Sequence, residues 1–247
     1  MPLATIYRMA RLRPDKTAII HCGAHVSYRQ LACAIEALRT YFKSIEIGEG
    51  HLCAICVYSQ LDSWAILLAL RSLGAHTMCV QSPRHAMSAD VEGITHFITS
   101  AADPYEDGRA AAVKNGWREI IVRPELFAEA PAPNFDEPRT FPEEGTHLLL
   151  TSGTTGEYKA VRINTQSLEE RMKETLRIFA PDFKEDPDNT RMGYLGAVGL
   201  WSLGGFVMPM QRMPSRSTMR TLSAACVTSR ALTTSTRSAA CASAGTR

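Results

Sequence analysis

Leu52-Cys53-Ala54-Ile55-Cys56-Val57-Tyr58 is a near-continuous apolar run. It is too short for a buried helix, and it does not alternate as a strand with one wet face does. That pattern requires a strand covered on both sides, which is the usual situation in a parallel sheet. Comparable short runs recur at 76–80, 95–99 and 119–122. Helical stretches fall between them, at 63–73 and in the alanine-rich segment 107–114. Asp62 stands where an N-cap of the first helix belongs, and Gly74 where its C′ glycine belongs. Strand and helix alternating at this spacing predict an α/β fold with predominantly parallel sheets and flanking helices.

The chain opens with a different element. Residues 18–21 and 25–26 read as a short hairpin, after which Ser27 caps a helix and Gln30 is placed to complete a capping box. Leu31, Ile35, Leu38 and Phe42 recur at helical spacing and predict one buried stripe along that helix.

The chemistry concentrates at Leu148-Leu149-Leu150-Thr151-Ser152-Gly153-Thr154-Thr155-Gly156-Glu157-Tyr158-Lys159-Ala160-Val161. An apolar strand breaks into hydroxyls and glycines, and a second short strand at 160–164 follows one lysine. Gly153 and Gly156 permit the backbone turns in which successive N–H groups form an anion-binding nest. Ser152, Thr154 and Thr155 add hydroxyl donors, and Lys159 adds a positive charge suited to phosphate. A Walker A loop is excluded, because Tyr158 precedes the lysine and Ala160 follows it. A nucleophile elbow is excluded too, because no glycine lies two residues before Ser152. A polar hairpin turn with no ligand is the other reading of the same composition.

The order of these residues resembles the phosphate-loop signature T-S-G-[ST]-T-G-x-P-K-G-V of the acyl-adenylating superfamily, which includes acyl-CoA synthetases and nonribosomal-peptide adenylation domains. Tyr158 replaces the proline of that pattern and Ala160 its last glycine. The opening Arg13-Pro14-Asp15-Lys16-Thr17-Ala18-Ile19, the segment Val26-Ser27-Tyr28-Arg29-Gln30-Leu31 and the helix Ile66 to Ala75 resemble further elements of the family in the right order. The resemblance implies a partial N-terminal adenylation domain over 1–210. It also implies ATP and Mg²⁺ as cofactors, a small-molecule carboxylate as substrate, and a coenzyme A or carrier-protein thiol as acceptor. Thr151, Ser152, Gly153, Thr154, Thr155, Gly156 and Lys159 would hold the β- and γ-phosphates. No Y-G-x-T-E-like segment is present to stack on adenine and hold Mg²⁺. The catalytic residues and any metal ligand are therefore unassigned, and a truncated, impaired ligase is expected. A non-catalytic nucleotide- or phosphate-binding module is the alternative.

The remaining features are expected to be structural. Seven cysteines are scattered, and no basic-then-apolar leader opens the chain, which predicts a reduced, cytoplasmic protein. Cys53 and Cys56 form a lone CxxC inside a strand, where alternation sends them to opposite faces, so core packing is expected rather than a metal. The seven histidines show no HExxH spacing. Residues 164–179 read as a helix capped by Asn164 or Thr165. The uncharged segment 193–210 is broken by six glycine and proline residues and reads as a buried strand and helix, not a membrane span. From 211 to 247 there are six arginines and no Lys, Asp or Glu. Removing those six from the formal charge of +2 leaves −4 on residues 1–210. That tail, rich in Arg, Ser, Thr and Ala, is expected to be disordered, out-of-frame sequence and not a nucleic-acid arm.

Overall fold

The computed structural model describes residues 2–89, 91–102, 105, 107–127, 145–152 and 158–164, together with Gln166, Ser167, Glu170, Glu174, Arg177 and Ile178. The described residues up to Ser167 belong to one compact unit, and Glu170, Glu174, Arg177 and Ile178 belong to another. The elements below belong to the first. The boundary expected near 210, the segment 193–210 and the arginine-rich tail lie outside the described residues.

Helix α1 (Pro2–Leu12) precedes a hairpin of β1 (Thr17–His21) and β2 (Ala24–Ser27). Helix α2 (Tyr28–Ser44) follows at once. The expected capping box is present: Gln30 N donates to Ser27 Oγ at 3.2 Å, and Ser27 N donates to Gln30 Oε1 at 2.8 Å. The expected stripe is buried, with Leu31 at 2% exposure and Ile35, Leu38 and Phe42 at 0%. Helix α1 is an addition to the expected elements. Its Leu3, Ile6, Tyr7 and Ala10 share the core with α2, and Tyr7 Oη donates to Glu36 Oε2 at 2.5 Å.

The centre of the unit is a sheet of six strands. In chain order these are β3 (Leu52–Ile55), β4 (His76–Cys79), β5 (Ile94–Ser100), β6 (Arg118–Val122), β7 (His147–Ser152) and β8 (Tyr158–Ile163). Their spatial order is β6-β5-β3-β4-β7-β8. Every pairing is parallel except β7 with β8, which is antiparallel. Helix α3 (Gln60–Arg71) links β3 to β4, α4 (Pro83–Ser88) links β4 to β5, and α5 (Gly108–Asn115) links β5 to β6; a short 3₁₀ turn, Pro124–Phe127, follows β6.

The alternation inferred for the central strand is observed. Cys53, Ile55 and Val57 face one layer, with α1, α2 and α3; Leu52, Ala54 and Cys56 face the other, with Ala86, Ala89 and Ala112 from around α4 and α5. The connection from β3 to β4 runs one way across the sheet, and those from β4 to β5 and β5 to β6 run the other. Right-handed crossovers therefore need their helices on opposite faces, as found. The apolar run ends earlier than expected, because Ser59 turns the chain and leaves Tyr58 82% exposed.

Two expectations are corrected in detail. Ser59, not Asp62, caps α3: its Oγ accepts from Asp62 N at 3.3 Å, which puts Asp62 in the first turn, where its charge favours the helix N-terminus. Gly74 lies two residues beyond the C-cap Ser72 and holds φ +84°, the left-handed turn that sends the chain into β4. At the far end, Asn164 Oδ1 accepts from Ser167 N at 2.7 Å, which selects Asn164 as the cap of the segment expected to be helical.

Candidate phosphate site

Strand β7 delivers the loop. It lies beside β4 in the same direction, so its Ser152 end stands at the carboxyl edge of the parallel strands. Ligands of open α/β sheets bind outside that edge, most often where neighbouring connections diverge. Here the connections of β3 and β5 diverge, because β3 leads towards β4 and β5 leads away towards β6.

The hairpin of β7 and β8 pairs Leu149 with Val161, Leu150 with Ala160, Thr151 with Lys159 and Ser152 with Tyr158. Strand β8 thus begins at Tyr158 and not at Ala160. Both departures from the family signature fall inside this ladder. A proline at 158 has no N–H to give to a ladder, whereas Tyr158 has one, and Ala160 restricts the backbone more than glycine does. Residues directly opposite in an antiparallel pair project to the same face. Thr151 and Lys159 therefore share the face of Leu149, which packs in the layer of α2 and α3. Thr151 is half-buried and its Oγ1 donates to the Lys159 carbonyl at 3.2 Å; Lys159 is exposed. A hydroxyl tied to the backbone and an exposed lysine thus occupy opposed positions of the β7–β8 ladder. Of the expected ligand-holding residues, the structure brings Thr151 and Lys159 together and sets the backbone of Ser152 beside them. Gly153, Thr154, Thr155 and Gly156 lie outside the described residues, as does the Ser152 side chain.

No group of three or more His, Cys, Asp or Glu side chains that could hold a metal stands together among the described residues. Thr151 and Lys159, the expected loop residues whose side chains are described, carry no carboxylate to hold Mg²⁺. Cys53 and Cys56 are buried, and burial pushes both thiols up to about 12, so they stay protonated in the core. Four of the histidines, His51, His76, His96 and His147, cluster at the opposite, amino edge of the sheet, away from the loop. Among the described residues no helix is long and apolar enough to cross a membrane.

With that geometry, the comparisons with known proteins decide the family. Residues 6–210 match the family described as AMP-binding enzyme. The chain belongs to that family. Its relatives include the 4-chlorobenzoate–CoA ligase of Arthrobacter, 29% identical over 176 residues, covering 66% of this chain and 33% of the ligase. They also include the N-benzoylphenylalaninol synthetase of Penicillium brevicompactum, 27% identical over 158 residues, covering 62% of this chain and 6% of the synthetase. The chain thus spans a third or less of these relatives. Among solved structures, the N-terminal domain of FACL13 from Mycobacterium tuberculosis superposes with a TM-score of 0.64 at 16% identity, over 84% of this chain and 54% of that one. The o-succinylbenzoate CoA synthetase of Bacillus subtilis, bound to its acyl-adenylate, gives 0.61 at 18% identity, over 83% and 41%. At those identities the superpositions speak to fold, and they agree with the mixed, mostly parallel sheet described above. AMP-binding enzymes use ATP to form acyl-adenylates from carboxylates and pass the acyl group to coenzyme A or carrier-protein thiols.

Proposed function

We propose that this chain carries the polyphosphate-binding part of an ATP-dependent acid–thiol ligase. In the reaction, a carboxylate oxygen bonds to the α-phosphorus of ATP while the bond from that phosphorus to the bridging oxygen breaks. Pyrophosphate leaves with the electron pair, and the acyl-adenylate remains for transfer to a thiol. Chemistry of this kind depends on positioning and on charge neutralisation of the leaving group. Thr151 to Lys159 serve that group: Lys159 supplies the positive charge, and the hydroxyls and turn amides supply donors. The observation that carries this reading is the pairing of Thr151 with Lys159 at the carboxyl edge of a parallel sheet.

The carboxylate, the thiol and a magnesium ion accompanying the nucleotide are part of the proposal by family membership. No step is drawn through the metal. The test is calorimetric titration of the chain with ATP and with pyrophosphate. A charge-assisted hydrogen bond contributes about 1.5–3 kcal/mol, so Lys159→Ala should weaken pyrophosphate binding about tenfold or more. Equal affinity in wild type and variant would remove Lys159 from the site. Loss of all binding in the wild type would remove the loop.

A further inference from the structure

The hairpin that carries the loop is joined to the parallel sheet by very little ladder. Strand β7 pairs with β4 at two positions only, Thr77 with His147 and Met78 with Leu148, whereas it pairs with β8 at six. Its register against β4 must be held by something more.

At the amino end of β7 three consecutive residues are gripped in turn. Arg71 Nε donates to the Gly145 carbonyl at 2.7 Å, and Gly145 N donates to the Arg71 carbonyl at 3.0 Å. Thr146 N donates to His76 Nδ1 at 3.0 Å, with the Thr146 hydroxyl also 3.0 Å from that nitrogen, and Thr77 N donates to the Thr146 carbonyl at 2.9 Å. His147 Nδ1 lies 2.9 Å from Thr77 Oγ1. Arg71 is only 2% exposed, and Thr77 and His147 are at 0%. Burying a guanidinium is costly unless its geometry is well matched, and Arg71 sits in the last turn of α3, where the helix dipole favours a cation.

Gly145 adds a steric key. A Cβ at this position would fall 1.8 Å from the Ala75 carbonyl oxygen. A slip of β7 by one residue would push a side chain into that carbonyl. It would also send Leu148 and Leu150 to the opposite layer from the one they occupy.

We propose that Arg71, His76 and Thr77 clamp Gly145, Thr146 and His147 to set the register of the β7–β8 hairpin, which makes Arg71 a positioning residue for the phosphate loop. This rests on the reading of the loop as a phosphate site. The grip is applied seven residues before Ser152, roughly 23 Å along an extended strand, so displacement at one end is transmitted to the other.

The test uses the full chain as wild type, Arg71→Lys, Arg71→Met and Gly145→Ala. Amide hydrogen exchange is measured for β7 and for β3, alongside calorimetric binding of inorganic pyrophosphate. Arg71→Met and Gly145→Ala should speed exchange in β7 at least tenfold, leave β3 unchanged and weaken pyrophosphate binding about tenfold. Arg71→Lys, which keeps a donor, should restore most of both. Should Arg71→Met not fold, Thr77→Val, which deletes only a hydroxyl, gives the same readout. Unchanged β7 exchange overturns the clamp, and so does faster exchange with undiminished binding. If the wild type binds no pyrophosphate, the phosphate reading fails on its own. Exchange then decides the clamp: faster exchange in Arg71→Met and Gly145→Ala supports it, and unchanged exchange overturns it.

Discussion

His96 shows how much one side chain at the amino edge controls. It is 5% exposed, its Nδ1 lies 2.8 Å from Thr95 Oγ1, and its ring meets that of His51 edge-on at 4.9 Å. Thr95 is the extra residue of a bulge against β3, and its hydroxyl bonds both Leu52 N and the Leu52 carbonyl, replacing ladder partners. Burial first, then His51 and Arg118, pull His96 from 6.5 down to about 4. The neutral ring is the folded form, and the unfolded chain takes up the proton first. His96 therefore contributes full stability above pH 6.5, which is lost as pH falls through that value towards about 4. His76 and His85 are lowered in the same direction by burial. The unfolding midpoint should accordingly drop by several degrees between pH 7 and pH 4.5, and His96→Gln should flatten part of that slope. A midpoint constant over that range would contradict the assignment.

Among the elements, α2 was the most legible, because its signals are local. Ser27 and Gln30 are three residues apart, and the apolar stripe needs no partner to be recognised. Removing the capping hydroxyl with Ser27→Ala should cost about 1 kcal/mol, read as a lower urea midpoint with an unchanged slope. The N-terminus of α3 was less legible, since Ser59 and Asp62 are both good caps; the turn leaving β3 after Val57 decides for Ser59, whose neighbour Ser63 donates to the Val57 carbonyl at 2.8 Å. Helix α1 went unread although Leu3, Ile6, Tyr7 and Ala10 carry helical periodicity. Helix α4 is only six residues long, and its signals were the cap Ser82 with Pro83 at the first position.

For the whole molecule, the family match reaches residue 210, and the chain spans a third of the Arthrobacter ligase. On the proposed reading the loop holds the leaving pyrophosphate, while the sequence contains no Y-G-x-T-E-like segment for the adenine. Incubated with ATP, Mg²⁺ and a panel of aryl and fatty carboxylates, it should bind pyrophosphate yet form acyl-adenylate at rates many powers of ten below an ordinary enzyme. Ordinary turnover, or robust ATP–pyrophosphate exchange, would show that the chain is sufficient. The sequence by itself determined the parallel α/β architecture, the two faces of β3, the capping box of α2 and the phosphate-loop signature, because each rests on periodicity or on contacts a few residues apart. Only the tertiary structure decided that β7 lies beside β4, that Thr151 faces Lys159 across an antiparallel pair, and that Arg71 reaches Gly145. Those partners are separated by up to 74 residues, and no local pattern encodes which buried strand a hairpin will join. That choice belongs to packing: a carbonyl that tolerates only glycine, a guanidinium buried at a helix end, and leucines that fit only one register.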